Sequence, residues 1–74
     1  MSITFRAIEF DNAHEAIQHT YASGRGEAVL LSGKHYMMER DEAERLAAAR
    51  VEFAYLFDHE LPDGAHRIVT VPVN

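Results

Sequence analysis

The stretch from Glu27 to Met38, Glu-Ala-Val-Leu-Leu-Ser-Gly-Lys-His-Tyr-Met-Met, decides how the chain folds. Val29, Leu30 and Leu31 are consecutive, and an apolar run on both faces predicts a strand buried in the middle of a sheet over Glu27 to Ser32. Ser32-Gly33 supplies a two-residue hairpin turn, and Lys34 to Met38 is the returning strand. A central antiparallel hairpin follows, and the other elements are placed around it.

Upstream, Ile3 to Ile8 alternates apolar and polar side chains and reads as a strand. Asp11-Asn12 then offers a short side-chain oxygen to cap a helix, with Glu15 three residues on as in a capping box. Ala13, Ala16, Ile17 and Tyr21, with Thr20 between them, share one helical face, and Gly24 is placed to close the last turn. Downstream, Glu39 to Arg50 is rich in Ala, Glu, Arg and Leu and predicts a second helix. Its apolar stripe, from Ala43, Leu46 and Ala47, is narrow. Val51 to Phe57 alternates as a strand does, with Val51, Phe53, Tyr55 and Phe57 on one face. Leu46, Phe53 and Phe57 also fit a continued helix, so both readings stay open, with β propensity favouring the strand. Leu61-Pro62-Asp63-Gly64 is a turn signal. His66 to Val73 closes the chain as a strand, and Pro72 assigns it to a sheet edge.

The expected architecture is one small α+β domain over residues 1–74, with the order β-α-β-β-α-β-β. It is a mostly antiparallel sheet of about five strands with two helices on one face. The other face then needs cover, and its candidates, Tyr36, Met38, Leu56, Val69 and Val71, are apolar. Association with a second copy, through this face or an edge strand, is the expected consequence. The residues expected at the interface are Tyr36, Met38, Tyr55, Ile68, Val69 and Val71.

Composition narrows the function classes. A chain of 74 residues with 47% apolar content can build a core, yet one this short buries only about 60% of its unfolded surface. It has no cysteine, which removes disulfides and thiolate metal sites as reinforcement. Twelve acidic residues against seven basic ones give a net charge of −5. That balance argues against general affinity for nucleic acid. The longest aliphatic run, Ala28 to Leu31, is too short to span a bilayer. The first ten residues lack the pattern of a signal peptide. A cytoplasmic location is the default expectation. With five histidines titrating between about pH 5 and 8, solubility should fall as pH approaches the isoelectric point near 5.4.

Four chemical readings compete with the association module. His14, Glu15 and His19 have the residue types of a zinc helix. The histidines are five apart, however, about 140° around the helix axis, where the motif needs four. Asp58, His59, Glu60, Asp63 and His66 crowd one segment and, with His35, offer a candidate hard-cation site, with His59, Asp63 and His66 as the core of the set. A polar turn around a proline would have the same composition. Ser2, Ser23 and Ser32 lie outside any nucleophile elbow, and no cofactor motif is present, so a non-catalytic role is expected. Gly24-Arg25-Gly26 precedes a strand instead of a helix N-terminus, which fits a turn better than a phosphate cradle.

The order helix, Glu27-to-Gly33 strand, Lys34-to-Met38 return strand and acidic Ala-rich helix, over Asn12 to Ala49, resembles Phd/YefM-type antitoxins. That resemblance implies a dimer that binds DNA and a toxin. The chain departs from the pattern after Ala49, where an aromatic and valine-rich hairpin stands in place of a toxin-binding tail.

Overall fold

A computed structural model describes residues 4–74. Five strands and two helices follow the expected order: β1 (Ile8–Phe10), α1 (Ala13–Ser23), β2 (Glu27–Leu31), β3 (Lys34–Met38), α2 (Arg40–Ala48), β4 (Phe53–Glu60) and β5 (His66–Val73). The strands form one sheet in the order β1-β3-β2-β4-β5, and every neighbouring pair is antiparallel. The central hairpin is as read from the sequence. Ser32 and Gly33 both take positive φ, 51° and 77°, the pairing of a tight turn whose twist matches its strands.

The first helix starts where its cap chemistry places it. Asn12 Oδ1 accepts the Glu15 backbone N–H at 2.9 Å, satisfying one of the free donors of the first turn. Gly24, at φ 70°, closes the other end by donating its N–H to the Thr20 carbonyl. The second helix ends two residues earlier than expected, without a glycine. Arg50 takes φ 60°, its N–H reaches Ala47 O, and the Val51 N–H reaches Leu46 O, each at 3.0 Å. This paired closure is a Schellman motif with arginine in the left-handed position. It turns the chain and frees Phe53 to start a strand, which resolves the ambiguous segment as β4.

The helices lie on opposite faces of the sheet, which corrects the expectation of both on one face. Successive strand residues point to opposite sides. Ala28 packs with Ala16 and Ile17 of α1, and Leu56 joins them. Its neighbour Val29 packs with Ala43 and Leu46 of α2, together with Met38 and Phe53. One helix covers each side, so β2 is apolar from Ala28 to Leu31 because both of its faces are covered.

The opening strand is also displaced. Ile3 lies outside the described residues, and β1 occupies Ile8 to Phe10 where the expected strand was ending. Phe5 and Ala7 instead pack against the α2 cluster. The Arg6 N–H donates to Glu42 Oε2 at 3.1 Å, and Arg45 donates to the Thr4 carbonyl. These contacts hold the N-terminal segment to α2 in place of a sheet neighbour. Among the described residues, no helix is long and apolar enough to cross a membrane.

Candidate association surface on the C-terminal ribbon

Strands β4 and β5 pair along their whole length, from Phe53↔Val73 to Glu60↔His66. The body of the sheet holds β4 through only two positions, Val29↔Tyr55 and Leu30↔Ala54. Beyond Leu56, which is still buried beneath α1, the ribbon extends past the rest of the sheet, and the overall dimensions are 45 × 23 × 20 Å. Every residue of β5 from His66 to Pro72 is exposed.

Alternation divides the ribbon's side chains between two faces. On the α2 side, Phe53, Tyr55 and Phe57 form an aromatic row with ring centroids 5.4 and 6.3 Å apart. Val71 and Val69 lie opposite Tyr55 and Phe57 on the neighbouring strand. Phe57, Val69 and Val71 are 47%, 37% and 47% exposed, so this apolar stripe runs from under α2 out into solvent. Burial pushes the Tyr55 hydroxyl above its ordinary pKa of 10.0, and the carboxylates of Glu27 and Glu44 add to the shift. On the α1 side, Ile68 stands 41% exposed. It borders a shallow hollow of about 280 Å³ with His14, Gln18, Asp58 and His66.

The six residues expected at an interface therefore separate. Tyr55, Val69 and Val71 share the exposed stripe, while Ile68 faces the other way. Met38 is 1% exposed and belongs to the core under α2. Tyr36 packs edge-on against Phe5, with centroids 5.3 Å apart, under the N-terminal segment. Leu56 is buried beneath α1. The bare face expected for these three does not exist, because a helix covers each side of the sheet. Phe57 was missed as a surface residue, although its alternation with Tyr55 places it on the same stripe.

The cation set does not assemble. His59 pairs with Arg67 and His66 with Glu60 at adjacent ladder positions, so the two histidines point to opposite faces. The Asp63 carboxylate accepts the Ala65 N–H at 3.0 Å within the turn. His66 Nδ1 lies 3.1 Å from both carboxylate oxygens of Asp58, a two-residue contact. His35 is paired with Leu30 and Phe10 in the body of the sheet. Among the described residues, no three His, Asp or Glu side chains gather around one point.

A cleft of about 750 Å³ opens where β4 parts from β2. Ile17, Ala28 and Leu56 contribute apolar surface, and Tyr21, 62% exposed, stands at its side. Two ion pairs flank it, Arg25 with Glu39 and Arg40 with Glu27. Arg25 of the Gly-Arg-Gly turn is thereby engaged by a carboxylate, and the cleft carries matched charges.

Comparison with protein-family models, with curated proteins and with solved structures finds no match.

Proposed function

We propose that this chain is a non-catalytic association module whose working surface is the β4–β5 ribbon. The observation that carries the reading is β5 itself, an eight-residue strand at the sheet edge with Ile68, Val69 and Val71 all substantially exposed. Up to Pro72, an edge of this kind is a template for pairing with another chain. Burying the exposed half of a Val, Ile or Phe side chain contributes about 1 kcal/mol. The few such side chains on each copy must offset an association cost of at least about 4 kcal/mol, so the complex is concentration-dependent rather than permanent.

Light scattering after size exclusion tests this at several protein concentrations. The expected result is a mass approaching twice that of the chain as concentration rises, with Val69→Lys returning the monomer. Val69 is exposed, so the substitution leaves the core intact. A wild-type protein that stays monomeric at every concentration overturns the self-association reading.

A further inference from the structure

We propose that β5 pairs antiparallel with β5 of a second copy about a two-fold axis at Ile68, joining the two sheets into one. The inference rests on the ribbon being the association surface, and it adds the partner and the register. The two edges of the sheet are treated differently by the sequence. Strand β1 is three residues long, and a short edge offers little to pair with. Strand β5 has eight residues in unbroken one-to-one register with β4. It carries no bulge, no lysine and no acidic side chain, which are among the usual means of blocking an edge.

The hydrogen-bonding direction of each β5 residue follows from the hairpin. The Leu61 N–H donates to the Ala65 carbonyl at 2.7 Å, and this pair continues the register of Glu60↔His66. In an antiparallel ladder, bonded and non-bonded positions alternate. Arg67, Val69, Val71 and Val73 therefore turn their backbone groups toward β4, while His66, Ile68, Thr70 and Pro72 turn theirs outward. Proline has no N–H to offer and its ring keeps a neighbouring strand away. The pairable window is thus His66 to Thr70, and its centre is Ile68.

A two-fold antiparallel partner using the whole window sets Ile68 against Ile68 of the second copy and His66 against Thr70. Arg67 then lies opposite Val69, and no like charges meet directly. Moving the axis to Arg67 places two guanidinium groups opposite each other, which disfavours that register. Moving it to Val69 or to Thr70 brings His66 or Ile68 against Pro72 and loses donors on both copies. The edge is therefore complementary to itself in one register, which favours a second copy of this chain over an unrelated strand.

The chain has no native cysteine, so single-cysteine variants report the register directly. Opposed residues in a bonded antiparallel pair have Cα atoms about 5.5 Å apart, within disulfide range. Oxidised without denaturant, Ile68→Cys is expected to form covalent dimer roughly tenfold faster than Thr70→Cys, whose counterparts lie roughly 14 Å apart along the strands. Thr70→Pro removes an outward donor while sparing the bonds to β4, and it is expected to give a monomer where Thr70→Ala remains dimeric. If the wild type is a dimer but Ile68→Cys cross-links no faster than Thr70→Cys, the edge pairing is overturned and the ribbon surface stands. If the wild type is a monomer, both are overturned.

Discussion

Gly26→Ala and Gly64→Ala form a matched pair that weighs one close contact in the fold. The two glycines have nearly equal φ, 85° and 87°, so an alanine at either bears the same left-handed penalty of about 1–2 kcal/mol. Their surroundings differ. A Cβ at Gly64 meets nothing within 4 Å, whereas a Cβ at Gly26 would stand 2.8 Å from Met37 Sδ and 2.9 Å from the Met38 carbonyl oxygen. The thioether can swing aside, but the carbonyl belongs to the β3 backbone at the end of the β2–β3 ladder. Relief therefore means moving a strand, and overpacking of this kind costs about 1–3 kcal/mol. Gly26→Ala should be less stable than Gly64→Ala by about 2 kcal/mol. In urea unfolding at fixed protein concentration, with a slope of about 1 kcal/mol/M for so small a domain, the midpoints should differ by about 2 M. The melting temperatures should differ by about 8–16 °C. Midpoints that coincide would refute the close approach of Gly26 to β3.

Two further outcomes follow from the ends and the charges of α2. Arg50→Gly relieves a left-handed arginine at the Schellman position and should stabilise the fold by about 0.5–1 kcal/mol; a lower melting temperature would show that the arginine side chain contributes more than its backbone costs. The Arg6 backbone N–H, followed by the Arg45 side chain, holds the Glu42 carboxyl below its ordinary pKa of 4.5. The fold thus favours the ionised form, and the resulting stability is present above pH 4.5 and lost as pH falls through the lowered value. Melting curves between pH 5 and 3 should show a shallower acid decline for Glu42→Gln than for the wild type, and parallel declines would remove Glu42 from the account.

Much of the fold was legible because local chemistry and long-range packing agree over Asn12 to Met38. Asn12 and Gly24 end one helix, Ser32-Gly33 fixes one turn, and the periods of the segments between them are unambiguous. The end of α2 was not legible, because the left-handed position is held by Arg50, where the sequence signal would be glycine. The first strand was misplaced because Phe5 and Ala7 alternate as a strand does while packing beneath α2. The side on which each helix lies has its signal in the run Ala28 to Leu31. Ala28 to Leu31 is apolar at every position, and a strand buried on both faces needs a cover on each. The same two-sided cover buries Met38 and Leu56 and leaves Tyr36 partly covered, against the expectation of a bare face. For the surface residues, Val69 and Val71 are named as part of a bare face and are exposed because β5 lies at the sheet edge that Pro72 marks, and Phe57 follows from the period of its own strand. Strand parity also separates His59 from His66, a distinction that proximity in sequence conceals.

The two-position seam between β2 and β4 has a kinetic consequence. The hairpins β2–β3 and β4–β5 are each closed by a short turn, so their pairings are local in sequence and can form within about 1–10 μs. The pairs Val29↔Tyr55 and Leu30↔Ala54 join residues far apart in the chain and must wait for closure of the loop that contains α2. Leu46, packed between Val29 and Phe53 in one cluster, supplies the apolar contact that holds the loop shut. The barrier to folding is therefore expected at the joining of the two hairpins across this seam, with helix α2 as the clasp.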